Sequence, residues 1–361
     1  MKIINSIVVV KRGGKNRQSN IEALRLLSML MVLNLHSFSG YEHGTGIAQV
    51  LDFFRQSTSI CAVNVFLIIS GYFGIKWKFK SFFNLLFQVA FYSFGVYIVA
   101  SLFGFIDFSI NGLLSNAKCF YDSWGFVTGY ILLYMCSPLL NAFIEKNDNK
   151  TIFLTIVALS LSELFITRSF GYLNYGLLYV IGRFLNKSEA VTRYNISAGR
   201  SYWIITSIIT FIAIVLYRLN ICTTSDAMNT FPLGYNYASP FIILQAVFLF
   251  LAFARMDFQS KIVNWCSASS FAIFLIHMHP AIKQIGYYGY TESLYNLPVI
   301  EHVWKLALLI LFVFFGSILI DKIRIFISNS VYKLLHIIRR SLPDVLFQTD
   351  TYIPKSIKNI L

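Results

Sequence analysis

Ten apolar stretches, each long enough to cross a lipid bilayer, follow one another along this chain with only short connections between them. They fall near 21–40, 57–75, 82–105, 124–144, 151–167, 171–186, 202–219, 237–255, 268–286 and 301–321. A membrane offers the backbone no water, so each crossing segment must satisfy its own N–H and C=O groups, and here that means helices. The expected fold is all-α, a polytopic bundle of about ten transmembrane helices. Composition agrees: 57% of the residues are hydrophobic and only 13% charged, too little polar surface for a soluble protein of 361 residues.

The loops carry the topology. The N-terminal arm, "KWKFK", "EKNDNK", the segments 183–200 and 255–261 and the tail from 322 hold 23 of the 30 Lys and Arg residues. The alternate set holds Arg55, Lys118, Arg168, Arg218 and Lys283, while Arg25 and Lys305 lie within spans. Positive charge marks the cytoplasmic side, so both termini are expected in the cytoplasm. The net charge of +14 is therefore read as topology and contact with membrane lipids, with no role for nucleic acid. The chain is expected to comprise a basic arm (1–20), a transmembrane domain (21–328) and a cytoplasmic tail (329–361). In that tail "NSVYKLLHIIRR" (329–340), with His336, reads as an interfacial helix. The first span is read as retained rather than cleaved, and the expected location is a cell membrane, multi-pass, as in a bacterial cytoplasmic membrane. Five Cys are scattered without metal-like spacing. Cys119 and Cys222 share a side in this topology but are not expected to pair.

All loops are short, so chemistry falls to the helices. The stretch "RLLSMLMVLNLH" (25–36) puts an arginine and a histidine into lipid-grade sequence. Eleven residues at 100° each return to within 20° of three full turns, so Arg25 and His36 share one helix face, roughly 16 Å apart along the axis. Ionisable groups at membrane depth are costly and tend to face a wet cavity. Glu22, three residues before Arg25, is placed to hold its guanidinium. The alternative is an arginine snorkelling to the interface and a histidine at a helix end. In the second span, "NVFLIISGYF" (64–73) carries Asn64 and Ser70, and Gly71 followed by Tyr72 reads as a helix end where a ligand can approach backbone. His277 and His279, two residues apart, point to nearly opposite faces and cannot by themselves form a metal pair. His43 and His302 read as loop or helix-end residues within reach of an outer ligand. Trp124, Tyr130, Tyr237 and Trp304 serve either as sugar-stacking rings or as an interfacial belt.

An arginine, ten residues and a histidine on the first helix, then "FLIISGY" on the second, resemble the acyltransferase-3 family of integral membrane acyltransferases. "SSFAIFLIH" (269–277) looks like that family's late "FGIYLIH" stretch, and "WGFVTGYILLYMCSPLL" (124–140) resembles its aromatic, proline-terminated fourth span. The likeness covers nearly the whole chain and is most specific in the helix-1 pair. It implies transfer of an acyl group, usually acetyl, from cytoplasmic acetyl-CoA as co-substrate to a hydroxyl of a cell-envelope polysaccharide or lipid-linked glycan. No tightly bound cofactor is implied. His36 matches the catalytic histidine and Arg25 its partner. Where many members carry arginines after "SGY", this chain has Lys76, Lys78 and Lys80; these are candidate donor-phosphate contacts, or simply positive-inside charge.

The chemistry suits the spacing. A sugar hydroxyl needs a base within hydrogen-bond reach, and an imidazole can take its proton at neutral pH. A guanidinium grips phosphate bidentately. One end of the helix face would anchor the donor and the other activate the acceptor, with Asn64, Ser70, Gly71, Tyr72, Trp124, Tyr130 and His277 as candidate pocket residues. Direct attack is favoured over a covalent acyl-enzyme on Ser70 or His36. The competing classes are a glycan transporter or flippase, which would show internal repeats and matched broken helices, and a glycan polymerase with long arginine-rich outer loops. Oligomeric state is left open.

Overall fold

Proline, glycine and hydroxyl side chains decide where this apolar chain stops and turns. The computed structural model describes residues 17–37, 40, 46–165, 171–193 and 197–341. The principal helices, numbered in chain order, are α1 (Ser19–His36), α2 (Ile47–Ser59), α3 (Ala62–Phe73), α4 (Phe79–Leu102), α5 (Gly125–Lys146), α6 (Asn149–Phe165), α7 (Tyr172–Lys187), α8 (Ala198–Arg218), α9 (Pro240–Ala254), α10 (Ser270–His277) and α11 (Val299–Ser341). No strand occurs among the described residues. By internal contacts the chain divides into Met1–Ser317 and Ile318–Leu361.

Helix occurs in each of the ten expected stretches among the described residues, but not every stretch is one continuous helix. Among the described residues, five helical segments are long and apolar enough to cross a membrane: Ile47–Phe73, Phe79–Leu102, Gly125–Lys146, Ala198–Arg218 and Val299–Ser328. The others are shorter or more polar. Large apolar side chains such as Phe79, Leu139, Phe211 and Phe312 stand exposed on the outside of the helices, as a multi-pass membrane protein requires.

Three boundaries differ from expectation. Gly71 does not end a helix. It lies buried inside α3, where an added Cβ would sit 2.1 Å from the carbonyl oxygen of Tyr179, and one on Gly182 would meet Ile68 O at 2.2 Å. The two glycines let the backbones of α3 and α7 touch, the small-residue contact common between membrane helices. The stop falls at Gly74, whose φ of +72° suits glycine. Nor does Pro138 terminate the fourth span, since α5 runs through it to Lys146. Proline cannot donate to the carbonyl four residues back, but the hydroxyl of Ser137 donates to that Tyr134 oxygen instead, at 2.8 Å.

The third difference matters most. The stretch 268–286 is not one continuous span: α10 stops after eight residues at His277, and a π-turn resumes only at Gln284–Tyr288. Pro280 removes a donor and disfavours helix at the residue before it. The freed polar groups find partners elsewhere: Trp124 Nε1 donates to Met278 O at 2.9 Å, and His279 Nε2 donates to Ser93 O at 2.9 Å.

The helical backbone continues through 329–340 as part of α11, and the side chains from 331 onward, His336 included, lie outside the described residues, as does His43. Within the second unit Arg324 pairs locally with Asp321 at 2.6 Å. Cys119 and Cys222 are both buried and free.

Candidate active site

The site is built along α1, which packs against α2, α3, α10 and the short helix Lys261–Ser267. At its start, Glu22 is buried and accepts from two sides: Arg25 Nη1 at 3.0 Å and Ser267 Oγ at 2.5 Å. The carboxylate is thereby fixed, and it fixes the guanidinium in turn. Arg25 keeps 32% of its side chain exposed and lines a cavity of about 280 Å³ with Met29, Phe66, Ser70, Phe126 and Tyr130. Ser70 donates to Phe66 O at 3.0 Å and lies 3.3 Å from the Tyr130 hydroxyl.

At the far end of α1, His36 opens on a second cavity of about 210 Å³, walled by Met29, Phe66, Trp124, Phe126, Tyr237 and Phe274. Met29, Phe66 and Phe126 line both cavities. The Arg25 and His36 chambers therefore adjoin, divided by one thioether and two aromatic rings. The expected common face of Arg25 and His36 is realised as a row of two chambers.

The imidazole of His36 is not alone. Its Nδ1 lies 2.8 Å from Nε2 of His277, and His277 Nδ1 lies 2.6 Å from the carbonyl oxygen of Ile273. This chain of contacts assigns the protons. A carbonyl can only accept, so His277 Nδ1 carries hydrogen; in a neutral ring its Nε2 is then an acceptor, and His36 Nδ1 must donate to it. That leaves the lone pair on His36 Nε2 for a proton from elsewhere. Both histidines are the last residues of their helices. Two helix C-termini, each with partial negative charge, therefore converge on the pair.

The end of α1 is clamped from the opposite side. Arg55 Nη1 donates to Asn34 O at 2.8 Å, to Asn34 Oδ1 at 3.1 Å and to Ser37 Oγ at 2.5 Å, bracketing His36 in sequence. Its other nitrogens hold Asp52 Oδ1 and the Tyr295 hydroxyl.

The remaining candidates separate clearly. Ser70, Tyr130 and Trp124 line the chambers, Trp124 with its N–H committed to Met278 O. Asn64 is buried behind the wall and donates to Tyr237 O at 2.9 Å, so it holds a wall residue rather than facing the cavity. Gly71 and Tyr72 are packing residues, Tyr72 against Phe250 with ring centres 4.9 Å apart. Lys76, Lys78 and Lys80 are exposed beyond the α3 end that carries Ser70, and none lines either chamber. His279 lies beyond the end of α10 and its Nε2 donates to Ser93 O. Sequence reading had not linked His277 to His36, nor singled out Arg55, Phe126 or Phe274. A hint for His277 lay in the proline three residues on, which ends the helix there and leaves the imidazole at a terminus.

Among the described residues the chain is all-helical and multi-pass, with an imidazole lining one cavity and a guanidinium lining the adjoining one. The acyltransferase-3 family model, described as an acyltransferase domain, matches residues 18–322, and the chain belongs to that family. It is accordingly a membrane acyltransferase. No curated protein and no solved structure matches the chain.

Proposed function

We propose that the protein moves an acetyl group from cytoplasmic acetyl-CoA to a hydroxyl of a cell-envelope or extracellular polysaccharide, or of its lipid-linked precursor. The observation that carries this reading is the pair of adjoining chambers, with Arg25 in one and His36 in the other. Arg25, steadied by Glu22, grips donor phosphate at the cytoplasmic side. The narrow pantetheine arm passes Met29, Phe66 and Phe126 and delivers its thioester to the His36 chamber. The acceptor hydroxyl gives its proton to His36 Nε2 as its oxygen bonds to the thioester carbon. The tetrahedral intermediate then breaks its C–S bond, and the CoA thiolate takes the proton back from His36, leaving an ester and free CoA.

His277 orients the base. While His36 holds the extra proton, its Nδ1–H···Nε2 bond to His277 becomes charge-assisted, and the two helix C-termini complement the positive charge. Lys76, Lys78 and Lys80 reinforce the field for a phosphate-bearing donor without contacting it selectively. The proposed orientation puts both termini inside. Cysteines placed at Lys118 and Asp226 should then react with an impermeant thiol reagent in intact cells, and one at Lys187 should not.

The direct test is chemical analysis of surface polysaccharide from cells with the parent, with His36→Ala and without the protein. Loss of the same O-acetyl ester in the last two is expected. An unchanged ester content in cells lacking the protein would overturn the reading.

A further inference from the structure

A third cavity lies on the other side of the α1 terminus and takes no part in the steps above. It measures about 250 Å³, and its polar wall is made by Asn34, Asp52, Arg55, Tyr295 and His302, facing an apolar wall from α2 and α11 that includes Leu51 and Ala307. Half-buried charged and hydroxyl groups beside an open volume suit a polar occupant.

The hydrogen-bond roles on this wall are unequal. Arg55 spends Nε and Nη2 on Asp52 Oδ1, Nη1 on Asn34 and Ser37, and Nη2 also on Tyr295. Its donors are thus engaged. Both contacts to Asp52 use Oδ1, leaving the lone pairs of Oδ2. His302 Nδ1 lies 3.0 Å from the carbonyl of Leu294 and must donate to it, so its Nε2 is an acceptor in the neutral ring. Asp52 Oδ2 and His302 Nε2 are therefore acceptors on this wall. An anionic headgroup, which brings acceptors of its own, would meet Asp52 unfavourably. A ligand rich in hydroxyl donors, with a C–H face for the apolar wall and the Tyr295 and His302 rings, fits both sides of the cavity.

We propose that this cavity is a second saccharide subsite, which holds a sugar unit of the acceptor chain away from the hydroxyl that reacts at His36. The proposal rests on the glycan reading above and sharpens it. Asn34 belongs to this cavity and His36, two residues on, to the reaction chamber, so the two sites lie on different faces of the last turn of α1. A helix with side chains is about 10 Å across. One sugar cannot reach both sites, whereas an oligosaccharide that spans them can. The acceptor is then a chain of sugars rather than a monosaccharide.

The test uses purified full-length protein in lipid nanodiscs. The probes are oligosaccharide fragments of the producing cell's own de-esterified envelope polysaccharide, and its constituent monosaccharides. Ala307→Phe fills the cavity from an exposed position of α11, and His302→Phe keeps the ring while removing the acceptor. Oligosaccharide affinity should fall about tenfold or more in Ala307→Phe, and severalfold in His302→Phe, while CoA affinity stays at the parent value. Monosaccharides should bind weakly to the parent and to both cavity variants. Parent-like oligosaccharide affinity in both cavity variants would overturn the subsite. So would loss of a co-purifying lipid, seen by native mass spectrometry, with saccharide affinity unchanged. If the parent binds the oligosaccharide through this cavity yet transfers no acetyl group to it, the subsite stands and the acetyl-transfer reading falls.

Discussion

The two ends of α1 are organised on different principles. At the Arg25 end, the key pair is three residues apart on one helix, and the guanidinium is a third exposed. At the His36 end, the partner is His277, 241 residues away in the chain, and the ring is enclosed by α1, α10 and the walls of the chamber. A local pair on a partly wet surface tunes an affinity. A long-range pair that lines a cavity fixes a tautomer, and on the proposed mechanism a tautomer is close to all-or-none for catalysis. The first end should therefore respond to substitution by degrees and the second by collapse.

That contrast can be broken most sharply at His36. His36→Ala should leave the protein inserted, abundant and able to bind CoA, yet slow acetyl transfer by about two to four orders of magnitude. Transfer within a few fold of the parent would remove the proposed base. His277→Ala should follow, with a loss in kcat of about a hundredfold at unchanged CoA affinity. The double variant should be no slower than His36→Ala alone, because the two rings act as a unit. Additive losses would show that His277 acts independently.

Effects at the other end should be smaller and of another kind. Arg25→Lys keeps the charge but loses the fork, so CoA affinity should weaken about tenfold with little change in kcat; a silent Arg25→Lys would return the residue to interface snorkelling. Glu22→Gln should be milder still. Its carbonyl oxygen can still accept from Arg25 or Ser267, and a loss of about two- to fivefold in CoA affinity is expected by titration. A larger loss from Glu22→Gln than from Arg25→Lys would reverse the proposed hierarchy.

Much of this was legible in the chain because membrane sequence obeys few rules strictly. The apolar runs marked a helical, multi-pass chain, although among the described residues only five helical segments are long and apolar enough to cross a membrane, and an eleven-residue spacing put Arg25 and His36 beside adjoining cavities. Glu22 was found for the same reason, since i and i+3 neighbours need no tertiary knowledge. What escaped depended on packing. Gly71 looks like a helix stop until Gly182 is seen against it, and Pro138 looks like one until the hydroxyl of Ser137 is traced to Tyr134 O. His277 was visible as a residue of the late "FLIH" stretch, but its contact with His36 requires knowing that α10 ends beside α1. Arg55, read as a stray outward charge, turns out to be held by groups on three sides. No local pattern predicts that.

The early stop of α10 also bears on how the molecule comes to be made. A segment with broken backbone at membrane depth cannot rest in lipid by itself, yet this one leaves the ribosome late. The groups that receive it are already in place: Leu33 O for the Tyr287 hydroxyl, Ser93 O for His279, and Trp124 for Met278 O. The earlier helices thus act as a template on which the late segment is finished. The dyad is completed in the same event, because the turn that breaks the helix also carries His277 to His36. On the proposed mechanism, a chain whose late segment has not docked lacks the His36–His277 contact and with it the oriented base.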